Sequence, residues 1–255
     1  MASSDDPGSG MVAAGVSHEI VNRSEVAPDR PYGEYRPQLR YDFFYSCAYC
    51  TMTEAEAQAI RFTIDHYEPR SIRPDLADQY ANLMYACDKC NVLKGNRCPS
   101  EDARHAGYRF FRPDMDVRSE NFERIGVRLH PKSHTGSYTI ECLDLNRLSL
   151  RKLRELRARL SECDIRAEDG IMALRRFKID QLHPSIRGKV YKAIKDAEAT
   201  RLRLEQEVDA LLRERAKSPL LEEETDPAER KRRSRAIQKT EALFPSSWHR
   251  RAKSR

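Results

Sequence analysis

Two cysteine pairs constrain this chain more than any other feature: Cys47-Ala-Tyr-Cys50 and Cys87-Asp-Lys-Cys90, with 36 residues between them. A Cys-x-x-Cys pair turns two sulfurs onto one knuckle. Two knuckles complete a tetrahedral four-thiolate site of the kind zinc prefers, with bonds of about 2.3 Å. The sequence starts Met1-Ala-Ser-Ser-Asp-Asp-Pro-Gly-Ser-Gly, without the basic and apolar regions of a secretory signal. No uninterrupted apolar run of about eighteen residues occurs. Paired cysteines in that setting favour metal over disulfides, and the expected location is cytoplasmic. Of the seven cysteines, Cys98, Cys142 and Cys163 have no partner spacing and read as ordinary thiols.

The stretch between the knuckles is longer than a simple zinc ribbon needs, and its contents are chemical. It holds Thr63-Ile-Asp65-His66-Tyr-Glu-Pro69 and then Asn82-Leu83; Asn91 follows the last knuckle cysteine, with Lys94 and Gly95 behind it. Arg61 to Asp65 alternates with β-branched and aromatic residues and predicts a strand; Leu83 to Ala86 predicts a second, and a helix starts at Cys90 and ends near Gly95. Adjacent residues at a strand end point to opposite faces, so one of Asp65 and His66 can bind a metal while the other faces a substrate. Hydrolysis of a phosphodiester needs an activated water, charge neutralisation on the phosphate and help for the leaving oxygen. Histidine is the natural general base near neutral pH. The Asp65 carboxylate and the Asn91 carbonyl are hard oxygen donors suited to Mg²⁺ or another divalent cation.

Cys-x-x-Cys, Asp-His-x-x-Pro, Asn-Leu and Cys-x-x-Cys-Asn-x-x-Lys-Gly together resemble the HNH endonuclease family in its zinc-stapled form, over about residues 41–97. The resemblance implies a ββα-metal finger that hydrolyses nucleic acid, most readily double-stranded DNA. It implies His66 as general base, Asp65 and Asn91 as ligands of the catalytic ion, and Asn82 as the residue that holds the loop and orients the base. The third letter of the pattern is Asn91 rather than His, a His-Asn-Asn variant whose oxygen ligand favours Mg²⁺ over a transition metal. The segment Gly136 to Arg147 resembles the tail of several bacterial HNH proteins, including some in anti-phage defence. An RNA-cleaving enzyme and a non-catalytic zinc-stapled binding module are the alternatives.

The chain has 255 residues, with 46 Lys and Arg against 40 Asp and Glu, a net of +6. That mild excess permits an anionic partner. Arg70, Lys89, Lys94 and Arg97 lie near the motif and are candidate phosphate contacts. The expected class is α+β, a ββα finger followed by short strands and a mainly helical C-terminal extension. The expected organisation is a flexible, irregular arm over 1–40, a nuclease domain over 41–120, short strands then helices over 121–217, and a charged, basic tail over 218–255. The aromatic run Tyr41 to Tyr45 is expected to bury beside the first knuckle. Strands are expected at Tyr108–Phe111 and Thr139–Leu143, with a turn at His134–Gly136. Leu145, Leu148, Leu153, Leu156 and Leu160 recur at helical spacing after a capping signal at Asn146 or Ser149. Further helices are expected at 170–180 and 185–216, and the helical half is a surface for a protein partner or a homodimer.

Overall fold

A computed structural model describes residues 20–28, 30–57, 60–176, 183–217 and 226–243. Its centre is the expected finger. Strand β1 (Phe62–His66) pairs antiparallel with β2 (Leu83–Cys87), setting Asp65 opposite Met84 and His66 opposite Leu83. Helix α3 (Asp88–Lys94) begins on the residue after β2, and Gly95, at φ 54°, ends it in a conformation that side-chain-bearing residues seldom adopt. The chain is thus α+β, with a four-cysteine cluster and a helical C-terminal part.

Upstream, the expectation of an irregular arm to residue 40 is corrected. Tyr32–Tyr35 is a 3₁₀ turn that runs directly into α1 (Arg36–Asp42). Pro37 sits in the first turn of α1, where a missing N–H costs no helical bond, so the prolines here admit a helix. The aromatic run also divides. Phe43 is buried, but Tyr41, Phe44 and Tyr45 are exposed, since Phe44 and Tyr45 both take left-handed backbone (φ 50° and 57°). The buried neighbour is Asp42. Burial pushes its carboxyl up, but hydrogen bonds from Ser24, Tyr80 and Gln38 outweigh this and hold it below the usual range. These bonds tie segment 22–24 and residue 80 to α1. Helix α2 (Glu54–Ala57) starts with a capping box: Glu56 N–H donates to Thr53 Oγ1, and Thr53 N–H to Glu56 Oε2.

Downstream of the finger the expected strands are not there. Helices α4 (Glu101–His105) and α5 (Arg118–Asn121) lead into a hairpin of β3 (Phe122–Ile125) and β4 (Arg128–Pro131). Residues expected to form a turn and a strand are helix α6 (His134–Cys142). Ser133 Oγ caps it by accepting from Gly136 N–H at 2.9 Å. Thr135, Tyr138, Thr139 and Cys142 make its buried stripe at helical, not strand, spacing. Thr139 Oγ1 donates to Thr135 O and accepts from Phe111 N–H, both at 2.7 Å. Gly136 is there for closeness rather than for a turn: a Cβ at this position would lie 2.0 Å from the Asn121 carbonyl oxygen.

Helix α7 (Leu148–Arg176) follows, and its Leu150 and Leu153 are buried in the same hydrophobic core as Leu39, Phe43 and Tyr85. That core runs without a break from Tyr35 to Leu153 and crosses residue 120. Asn146 is not the helix cap: its amide bonds both backbone groups of Leu129, each at 2.8 Å, and so fastens α7 to β4. The helix expected at 170–180 is the end of α7 as far as Arg176; residues 177–180 lie outside the described residues. Helix α8 (Pro184–Lys217) packs on α7. Residues 227–243, expected as basic tail, are helix α9. It is held to the hairpin and α6 by Arg128–Glu229 (2.6 Å), Arg232–Glu141 (3.0 Å) and Arg233 on the Glu141 carbonyl (3.0 Å). Residues 218–225 and 244–255 of that segment lie outside the described residues. No described helix is long and apolar enough to cross a membrane.

Candidate active site and metal centre

The four knuckle sulfurs, Cys47, Cys50, Cys87 and Cys90, are buried and lie within 4.8 Å of one another. Cys50 Sγ and Cys87 Sγ are 3.8 Å apart. A tetrahedron with metal–sulfur bonds of about 2.3 Å has an edge of about 3.8 Å, so the cluster has the dimensions of a zinc site. Backbone bonds set it: Thr51 N–H to Cys47 O (2.9 Å) closes the first knuckle, and Ala48 N–H to Tyr85 O (2.8 Å) pins it to β2. Four thiolates around a divalent ion leave a net charge of −2 in the interior. Buried Arg147 answers it, with Nη2 3.8 Å from Cys90 Sγ. From α7, Arg157 donates to the Thr51 carbonyl (2.7 Å) and to Glu56 (2.6 Å) beside the same knuckle.

Asp65, His66 and Asn91 line one cleft of about 560 Å³, together with Tyr32, Arg70 and Asp88. Within that cleft the two strand-end residues have different partners. Asp65 is buried and accepts from Tyr49 Oη (2.5 Å) and Lys94 Nζ (3.0 Å). Burial, then the Asp65 charge, raises the Tyr49 hydroxyl's pKa well above its ordinary value, so it remains a donor. Each carboxylate oxygen has two acceptor positions, and each retains one after these bonds. Asn91 donates Nδ2 to Thr63 Oγ1 (2.9 Å), which leaves its carbonyl oxygen as the remaining acceptor. Two oxygens on a shared cleft are a fitting donor set for a hard cation.

His66 is half-buried, and its Nε2 lies 2.9 Å from the Ala77 carbonyl. A carbonyl only accepts, so Nε2 carries the proton and Nδ1 holds the lone pair. Burial, partly offset by that bond and by Asp65, holds the imidazole below the ordinary histidine range. The Tyr32 ring meets it edge-on at 4.9 Å. Asn82 is buried and pins the intervening loop with three bonds: it accepts from Glu68 N–H (2.8 Å) and donates to the Glu68 and Leu76 carbonyls (3.1 Å each). It thereby fixes the segment that carries Ala77.

The expected phosphate contacts separate. Lys94 is removed from the set: its side chain is 0% exposed, and its ammonium is held by Asp65 and by the His66 carbonyl (2.6 Å). It is a buried clamp on both strand-end residues. Arg70 lines the cleft, its guanidinium 5.6 Å from the Tyr32 ring centre. Lys89 does not line the cleft, and Arg97 lines a different pocket. Three contributors were missed by sequence reasoning. Asp88 opens onto the cleft from the first turn of α3, one residue past β2. Tyr49 and Tyr32 carry no motif signal. Tyr49 lies inside a knuckle, where only the cysteines have a defined job, and Tyr32 reaches His66 through a fold that local patterning does not reveal.

Residues 47–97 match the family model for HNH endonucleases. The Septu protein PtuB of Bacillus thuringiensis is 24% identical over 102 residues, covering 40% of this chain. The match takes in 37% of PtuB, so this chain spans little more than a third of that relative. No solved structure matches. Residues 47–97, which carry both knuckles, are a domain of the HNH endonuclease family.

Proposed function

We propose that this chain is a metal-dependent endonuclease that hydrolyses phosphodiester bonds of double-stranded DNA in the cytoplasm. The observation that carries the reading is the fixed imidazole. Ala77 holds the Nε2 proton of His66, so Nδ1 is the base that takes a proton from the attacking water. Asp65 and Asn91 hold the divalent cation, best satisfied by Mg²⁺. When bound, it neutralises charge on the scissile phosphate and stabilises the leaving oxygen. Lys94 and Tyr49 hold the Asp65 carboxylate at the cleft wall, and Asn82 holds the loop behind the base. Arg70, exposed at the cleft, contacts a neighbouring phosphate. The knuckle cysteines hold structural Zn²⁺, and the helical half docks a protein partner or a second copy. A role in anti-phage defence accords with the resemblance of residues 136–147 and with the PtuB match.

Purified chain with supercoiled plasmid and Mg²⁺ tests this against EDTA and against His66→Ala. Nicking or linearisation is expected from the wild type alone. Equal cleavage by the variant would sink the assignment of the base. Cleavage confined to an RNA substrate would change the substrate, and binding without any cleavage would leave a zinc-stapled binding module.

A further inference from the structure

A second pocket, of about 410 Å³, lies beside the catalytic cleft. The two share chain segments: His66, Pro69, Arg70 and Asn96 line the cleft, while Tyr67, Glu68 and Arg97 line the pocket. Four arginines line it, Arg97, Arg104, Arg109 and Arg112, against two carboxylates, Glu68 and Asp116. Three of the four lie beyond the family match at 47–97.

The charges are layered. Arg109 pairs with Asp116 at 2.6 Å, with side-chain exposures of 36% and 9%. Arg104 pairs with Glu68 at 2.7 Å, with exposures of 30% and 14%. In each pair the carboxylate is behind and the guanidinium in front. Asp116 takes both terminal nitrogens of Arg109, whereas Glu68 holds Arg104 through Nη2 alone; both acids fix their arginines in place. Arg97 has no carboxylate partner among the described residues; its Nη1 donates to the Leu93 and Lys94 carbonyls. Arg112 lies over the Tyr67 ring, 5.1 Å from its centre, and is held by Asp114 (2.9 Å) and the Ala81 carbonyl. Among the described residues, Arg97 Nη2, Arg104 Nη1 and Arg112 Nη1 make no hydrogen bond. Rigid, outward guanidinium groups in excess over acids make a receptor for phosphate oxygens.

We infer that this pocket binds a phosphate-bearing nucleotide unit of the DNA strand flanking the bond held at His66. The inference rests on the nuclease reading above and adds a seat that positions the strand beside the cleft.

The test is equilibrium binding of a short duplex to the zinc-loaded full chain in a His66→Ala background, over 50–200 mM salt. Arg97→Gln/Arg112→Gln strands no carboxylate, because Asp114 keeps its pair with Arg23 (3.1 Å). Each phosphate contact contributes a salt slope of about 0.9, so the double variant should have a slope shallower by about 1.8. Across that fourfold salt range, its affinity should fall about 12-fold less than the parent's. If the double variant melts lower, Met115→Glu replaces it. Met115 is 73% exposed at the pocket wall, so the change adds one opposing charge without removing core packing, and the slope should fall by about 0.9. An unchanged slope in a folded variant overturns the inference. So does displacement of the duplex by a free nucleoside monophosphate from the parent alone, which would mark a free-nucleotide site. A wild type that cleaves while the variants keep the full slope retains the nuclease and loses the pocket. A wild type that never cleaves, beside variants with the reduced slope, does the reverse.

Discussion

Lys94→Met removes the ammonium from Asp65 and the His66 carbonyl while keeping an unbranched apolar stem under the Phe110 ring, whose centre is 5.7 Å from Nζ. The Asp65 carboxylate then stays buried with Tyr49 as its remaining donor. Breaking a buried ion pair from one side costs about 3–5 kcal/mol, because the surviving charge is left without compensation. With a urea m-value of about 2 kcal/mol per M, the unfolding midpoint should fall by roughly 2 M. A divalent ion at Asp65 can replace the lost charge. Mg²⁺ at 100 times its Kd contributes about 2.7 kcal/mol. It should recover more stability in the variant than in the wild type, where Lys94 already neutralises the Asp65 carboxylate and its ammonium repels the ion. Urea unfolding followed by circular dichroism, with zinc constant and Mg²⁺ at zero and saturation, reads both effects. Asp65→Asn combined with Lys94→Met should cost less than the two single changes added together. A Lys94→Met protein with the wild-type midpoint refutes the clamp. A variant destabilised equally with and without Mg²⁺, relative to wild type, refutes Asp65 as the cation's ligand.

Because burial lowers the His66 pKa, kcat/KM should rise with pH through an inflection below the ordinary histidine value and be level by neutrality; an acid limb above that value would contradict the assignment. The unfolded chain binds the His66 proton more readily than the folded one, so this residue's stability contribution is intact above the unfolded pKa and is lost as pH falls below it. Tyr32→Ala should remove an aromatic contact worth about 0.5–1.5 kcal/mol, move that acid limb upward as His66 becomes more exposed, and lower kcat; an unmoved limb would show that Tyr32 does not shape the base. Cys87→Ser should reduce bound zinc and lower the melting temperature, read by metal analysis and calorimetry; retained zinc at wild-type affinity would contradict the four-cysteine site. Gly136→Ala forces a methyl against the Asn121 carbonyl and should cost about 3 kcal/mol or more in thermal unfolding; a neutral change would mean that α6 can shift at no cost.

The finger was legible because its determinants are local. Cysteine spacing, strand alternation and a helix ended by Gly95 each declare themselves within a few residues, and the structure has all three. The same local reading failed at 134–142. Thr139 and Ile140 look like strand residues and His134 to Gly136 like a turn, but Ser133 caps a helix, and Asn121 accepts a glycine surface against its carbonyl. Tertiary packing overrode β propensity there. Nearness to the motif makes Lys94 a candidate phosphate contact in the sequence, yet the structure buries it. Its burial depends on Tyr49, Asp65 and Phe110 converging from three separate segments, which spacing along the chain cannot express. The cleft brings Asp65, His66 and Asn91 together as the sequence proposed; Tyr32 and three of the four pocket arginines, Arg104, Arg109 and Arg112, come from parts of the chain that carry no motif.

The counter-charge to the thiolate cage comes from Arg147, 57 residues along the chain from the Cys90 sulfur it faces. That limits how portable the finger is. A fragment cut to the family match would keep every knuckle cysteine and lose the cation that neutralises them, together with the Arg157 bonds to the first knuckle. Transplanting residues 47–97 into another protein would move the blade without its handle; the smallest transferable unit extends into α7, at least to Arg157.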